Sequence, residues 1–157
     1  MKILIANDGS KFGVAALEFA VNIIDPSRKT QVKIITVIEP AASIELETII
    51  ESAESLIDPE NPLARSANEI GERSTGFLRE KLTGGNIDIS HEVLGGPAAR
   101  TIVETAEEWA ADLIIIGSHG YGFWKRAWLG SISNRVAHHA PCSVLIVREK
   151  IEGYGKM

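Results

Sequence analysis

The chain has 157 residues, 45% hydrophobic and 24% charged, which is the size and composition of one globular domain able to bury a core. A net charge of −5 and a pI near 5.4 argue against nucleic acid or an anionic membrane as the main partner, so an anionic ligand must be held by local donors. The lone Cys142 excludes an internal disulfide framework, no apolar run approaches transmembrane length, and the apolar stretch after Met1 is too short for a signal h-region; the expectation is a cytoplasmic protein.

Lys2 to Ala6 is a short β-rich run, followed by a turn at Asn7-Asp8-Gly9-Ser10. Val14, Leu17, Val21 and Ile24 then mark one face of a helix that Ser10 caps and Asp25-Pro26 stops. Gln31 to Ile38 is the second strand. The segment from Ala41 to Pro62 carries Glu45, Glu47, Glu51, Glu54, Asp58 and Glu60 with no lysine or arginine. It is an acidic insertion at about 39–62, read either as a solvated surface segment or as a lid or partner-binding helix. Leu63 to Leu82 is helical, with Leu63, Ala67, Ile70, Phe77, Leu78 and Leu82 at helical spacing; Gly71 and Gly76 weaken it. Ile87 to Leu94 alternates as a strand. Pro97 suits the first turn of a helix running to about Ala111, with Ile102, Val103, Ala106 and Ala110 inward. Asp112 to Ile116 is the most apolar strand, a helix spans Ser131 to about His139, and Ser143 to Val147 is the last strand.

Strands alternating with helices, the central strands being unbroken apolar runs, imply an α/β fold: an open five-stranded parallel sheet, doubly wound, with helices on both faces. The expected strand order is 3-2-1-4-5. Ligands of such sheets bind past the strand carboxyl ends where the winding reverses, here between the first and fourth strands. Asp8 ends one of these and Gly117 the other.

The stretch from Ile114 to Val136 carries the chemistry. An apolar strand ends at Gly117, a glycine-bearing loop follows, and a helix opens at Gly130-Ser131. The first turn of a helix offers amides without intrahelical partners and partial positive charge, which suits phosphate. The chain has neither a GxxxxGK[ST] P-loop nor a GxGxxG fingerprint. Its own pattern is Gly117, two residues, Gly120, nine residues, then Gly130-Ser131. Together with Asp8-Gly9-Ser10, Thr36-Val37, Gly96-Pro97, Ala111 to Ile114 and Pro141 to Leu145, it resembles the universal stress protein family, in particular its ATP-binding branch, over nearly the whole chain.

The resemblance implies that Ala6, Asn7, Asp8 and Val37 frame adenine and ribose. Ile116 and Gly117 would line the nucleoside, and Gly120 would lie under the phosphates. Gly130, Ser131, Ile132 and Ser133 would hold those phosphates through amides and hydroxyls. It implies ATP with Mg²⁺ or Mn²⁺, AMP or cyclic AMP being alternative ligands, and a homodimer through Ser143 to Val147. Trp124 and Trp128 are bulkier than that family's loop residues, and the acidic insertion is longer than the family pattern.

Plainer roles stand beside these. Asp8 can simply hold its turn, and Ser131 can be an ordinary cap. Lys125 and Arg126 screen phosphate or stand in solvent. His119 touches a phosphate or is merely exposed, His91 is a structural residue on a strand face, and Cys142 is a small buried residue rather than a nucleophile. Hydrolysis needs a positioned water and a base. No committed base stands out, so a binding module that reports stress or energy status is expected first, a slow ATPase second, and an AMP- or cyclic-AMP-binding or nucleotide-free dimeric interaction protein third. Gly130→Val is expected to block phosphate approach while leaving the fold largely intact.

Overall fold

Three consecutive apolar residues, Ile3, Leu4 and Ile5, are fully buried because both faces of their strand are covered. The computed structural model describes residues 1–40, 54–119 and 129–148. Its strands are β1 (Lys2–Ala6), β2 (Thr30–Ile38), β3 (Ile87–Gly95), β4 (Leu113–Gly117) and β5 (Ser143–Val147). They form one parallel sheet in the order β3-β2-β1-β4-β5, which is the expected order. The described helices are α1 (Lys11–Ile23), α2 (Pro62–Lys81), α3 (Ala98–Glu108) and α4 (Ser131–His139). Ile3, Ile5, Val32, Ile34 and Ile115 pack under α1 and α2. Leu4, Ile35, Ile114 and Ile116 pack under α3 and α4 on the opposite face. Right-handed crossovers between parallel strands produce this division.

The helix faces agree with the expected ones at Leu17, Ile24, Ala67, Leu78 and Leu82, all buried, and differ at Val14 and Leu63. On α1 the sheet-facing residues are Gly13, Ala16, Leu17 and Ala20, whereas Val14 is 44% exposed. On α2 they are Ala64, Ala67, Gly71, Ser74, Thr75 and Leu78, whereas Leu63, in the first turn, is 56% exposed. Small residues at Gly13, Ala16, Ala20, Ala64 and Gly71 let the helix backbones lie close to the sheet between the larger buried residues. Gly71 shows the reason most directly: a Cβ there would collide with the His91 ring. His91 is accordingly structural, with its Nδ1 3.5 Å from Thr75 Oγ1.

The third helix also ends earlier than its apolar spacing predicts. It stops at Glu108, and Ala110 is an exposed residue with φ of 52° rather than an inward helical one. The Ala111 amide donates to the Ala106 carbonyl at 2.8 Å and the Ala110 amide to that of Glu107 at 3.0 Å. This is a Schellman ending with alanine in the left-handed position that glycine usually fills.

The acidic insertion is described only at its ends, and residues 41–53 lie outside the described residues. Among the described residues no helix is long and apolar enough to cross a membrane. Cys142 is partly buried. Burial raises its thiol pKa, and the neighbouring Asp112 carboxylate raises it further.

Candidate functional site

Strands β1 and β4 are neighbours whose following helices, α1 and α4, pack on opposite faces of the sheet, and the described residues just past the strands are held by hydrogen bonds. Asn7 makes the last rung of β1, its amide donating to the Ile35 carbonyl at 3.0 Å and its carbonyl accepting from Thr36 Oγ1 at 2.9 Å. Its side chain then shapes the turn: Oδ1 accepts from the Gly9 amide at 2.9 Å. Gly9 has φ of 78°, which glycine adopts at little cost. Asp8 accepts from the Ser10 amide at 2.9 Å, and Ser10 Oγ accepts from the Gly13 amide, capping α1 as expected.

On the β4 side, Gly117 packs against the backbone of Phe12: a Cβ would sit 2.7 Å from its carbonyl carbon and oxygen. The Ser118 amide donates to the Val147 carbonyl at 2.8 Å. The Ser118 carbonyl accepts twice, from the Gly130 amide at 2.9 Å and from Ser133 Oγ at 3.0 Å. These bonds bring the N-terminus of α4 back to the end of β4. Gly130 is the N-cap and provides no side-chain cap, and the helical ladder begins with the Asn134 amide on the Gly130 carbonyl. The earlier amides of the first turn have no intrahelical acceptor.

Ladder parity adds a group of the second strand. Alternate residues of β2 direct their amide and carbonyl toward β1, Ile35 among them, because its carbonyl receives the Asn7 amide. Val37 has the same parity. The chain turns away after Asn7, so the Val37 carbonyl is directed at the gap beyond the end of β1.

Ala6, Asn7, Asp8, Val37, Ile116, Gly117, Gly130, Ser131, Ile132 and Ser133 all line one cavity of about 430 Å³. Gly120 lies outside the described residues, as do Trp124, Lys125, Arg126 and Trp128. The hydroxyls divide. Ser131 is exposed at the helix start, but Ser133 is 2% exposed and its hydroxyl donates to the Ser118 and Gly130 carbonyls. The Asn7 carboxamide is likewise engaged within the protein.

Sequence reasoning left out Gly13, Glu39 and Ala98, which also line the cavity. Gly13 is required because a Cβ would collide with Asn7 Oδ1. Glu39 Oε1 accepts from the Ala98 amide at 3.0 Å and so caps α3 at the cavity edge. The pair is 59 residues apart, and no local pattern announces it. His119 is a lining residue too. Its ring lies tilted by 47° against that of Phe12 with centroids 5.2 Å apart, and Nδ1 is 3.1 Å from Ser118 Oγ, so the expectation of a merely exposed histidine is corrected.

Chemically, this is an apolar slot ending at a helix N-terminus. Ile35, Val37, Ile102, Ile116 and Ile132 form walls suited to a flat apolar ring. The α4 amides suit an anion, and Asp8 offers an acceptor to hydroxyl groups.

The universal stress protein family profile matches residues 1–148. The chain belongs to this family. A full-length relative, universal stress protein YxiE of Bacillus subtilis, is 30% identical over 94% of this chain and 98% of its own. A shorter match, universal stress protein A homolog 2 of Coxiella burnetii, is 49% identical over 67 residues, and that stretch is 44% of the relative's length. Among solved structures, universal stress protein UspA from Lactobacillus plantarum superposes with a TM-score of 0.74 at 26% identity, covering 94% of this chain and 97% of that one. A universal stress protein crystallised in complex with cAMP has a TM-score of 0.62 at 25% identity, covering 94% of this chain and 96% of that one.

Proposed function

We propose that this universal stress protein is a cytoplasmic adenine-nucleotide-binding module, with ATP as its ligand, whose bound state reports stress or energy status. The observation that carries this reading is the meeting of the Asp8 turn and the α4 N-terminus in one cavity whose walls are aliphatic. Adenine lies between the aliphatic walls, its exocyclic amine toward the Val37 carbonyl. The ribose hydroxyls donate to Asp8. The phosphates rest on the amides of Ser131 and Ile132, with the Ser131 hydroxyl as a further donor. The cAMP complex of a structural neighbour supports an adenine nucleotide in this fold, and AMP or cyclic AMP would occupy the same base and ribose positions.

A Mg²⁺ or Mn²⁺ ion would travel with the triphosphate. Among the described residues no group of three or more potential ligands is assembled. The ion would take phosphate and water oxygens, a mode common for Mg²⁺. Asp8 and Glu39 each already accept a backbone amide. The reading gives the remaining oxygen of Asp8 to the ribose rather than to an attacking water, which favours binding over rapid hydrolysis.

Homodimerisation through β5 belongs to the same proposal. Val147 directs its carbonyl at β4, so the alternate residues Val144 and Ile146 direct amide and carbonyl outward along the open edge. At the other edge, the outward Ile89 carbonyl of β3 accepts from Arg79 at 3.0 Å. An arginine blunts one edge, and β5 presents an apolar one.

The test is to denature the purified protein, chromatograph any released nucleotide, and titrate nucleotide-free protein with ATP. An adenine nucleotide in the extract, or saturable ATP binding weakened by Ser131→Ala, supports the reading. Neither release nor binding at millimolar ATP overturns it. Single-turnover phosphate release that depends on metal would instead favour the slow ATPase.

A further inference from the structure

We propose that Ser74, on α2 and outside the cavity lining, is a positioning residue of the nucleotide site that acts through Asn7. The proposal rests on the adenine-nucleotide reading for its ligand and on geometry for its mechanism. Ser74 is 4% exposed and Asn7 is 3% exposed. The single hydroxyl hydrogen of Ser74 is given to the Ile70 carbonyl at 2.6 Å. Its oxygen is therefore the acceptor of the Asn7 Nδ2 bond at 2.9 Å, a contact spanning 67 residues.

That acceptor and the Gly9 amide together fix which way the Asn7 carboxamide lies. With Nδ2 on Ser74, Oδ1 faces the Gly9 amide and accepts from it. The flipped amide would set two N–H donors against each other at Gly9 and would meet an acceptor at Ser74 unless that hydroxyl gave up its bond to Ile70. Gly13 leaves room for Oδ1, since a Cβ there would collide with it. The Asn7 backbone is held independently by Ile35 and Thr36, so the side chain is the part that Ser74 governs. One helical turn earlier, Ile70 lies against Gly9, where a Cβ would be 2.8 Å from its Cδ1. Helix α2 thus meets the turn at both Asn7 and Gly9, and Asp8, the residue proposed to hold ribose, stands between them. The position of α2 is transmitted to the Asp8 carboxylate by one buried hydrogen bond and one packing contact.

Ser74→Ala removes the acceptor and keeps a good helix former in the position, so the fold is expected to survive. Two measurements on the full chain test the proposal: amide hydrogen exchange at Gly9 with Gly130 as the reference, and affinity for ATP. The expected result is exchange at Gly9 faster by about tenfold with Gly130 unchanged, and ATP binding weaker by about tenfold, the weight of one buried hydrogen bond. In the Asn7→Ala background, Ser74→Ala should weaken ATP binding by less than about twofold, because its route to the site is gone. Wild-type Gly9 exchange and wild-type ATP affinity in Ser74→Ala would overturn the proposal. Faster Gly9 exchange in a protein that binds no ATP even as wild type would uphold the Ser74 role in shaping the turn and overturn the nucleotide reading alone.

Discussion

The hydroxyl of Ser133 donates to the carbonyl of Ser118 at 3.0 Å, closing a span of 15 residues. The same carbonyl takes the Gly130 amide, so the helix that offers its N-terminus to the cavity is fastened to the end of β4 by two bonds at one oxygen. The two serines of the Gly130-Ser131-Ile132-Ser133 segment therefore have different work, one building the site and the other facing it.

Ser133→Ala should lower stability by about 1 kcal/mol, a melting-temperature loss of about 2–4 °C for a chain of this size, and should weaken ATP binding as a consequence. Ser131→Ala should leave the melting temperature within about 1 °C, because its hydroxyl is exposed, while weakening ATP binding by about three- to tenfold. Thermal melts paired with titration calorimetry distinguish the two.

Gly130→Val bears on the same fastening. The backbone angles at Gly130, φ −60° and ψ 152°, suit any residue, which agrees with the expectation of a tolerant fold. Space does not: a Cβ would stand 3.0 Å from the Ser118 carbonyl oxygen and 3.3 Å from His119 Cα. Valine should therefore cost about 1–3 kcal/mol of stability as well as ATP affinity, and alanine less of each. Denaturant unfolding of both variants measures the graded loss.

Ala110 holds φ of 52° at a helix ending where glycine is the usual residue. Ala110→Gly should raise stability by about 0.5–1 kcal/mol and the melting temperature by about 1–4 °C. The residue lies on the α3–β4 connection at the other end of β4 from Gly117, so ATP affinity should not change.

Ile146→Pro probes the proposed dimer. The outward parity of Ile146 means that proline removes no bond to β4 yet removes a donor from the open edge. Size-exclusion chromatography with light scattering should show a folded monomer where the wild type runs as a dimer. A wild-type monomer, or a dimeric Ile146→Pro variant, would contradict pairing through β5.

The strands were legible because burial on both sheet faces leaves unbroken apolar runs, and Ile3-Leu4-Ile5 and Ile114-Ile115-Ile116 permit little else. The convergence of Asp8 and Gly117 followed from the strand order alone. The helix faces were less legible. Spacing rules weigh large apolar residues, and α1 and α2 meet the sheet through Gly13, Ala16, Ala20, Ala64 and Gly71. The end of α3 was missed because alanine gives no sign that it will take a left-handed conformation. Within the site, the residues contributed by short motifs were found, whereas Glu39 on Ala98 and Ser74 on Asn7 are single long-range bonds that no pattern in the chain encodes. The resemblance that implied a phosphate donor at Ser133 could not show that its hydrogen is shared between the Ser118 and Gly130 carbonyls.

The most direct test of the account is a titration of ¹⁵N-labelled protein with ATP, followed at the backbone amides. Phosphates at the α4 N-terminus and adenine beside β2 predict the largest saturable shifts at Ser131 and Ile132, with Val37 moving at the same ATP concentration and Ala110 remaining still. Unchanged Ser131 and Ile132 amides at saturating ATP, or shifts confined to residues away from the ends of β1 and β4, would contradict it.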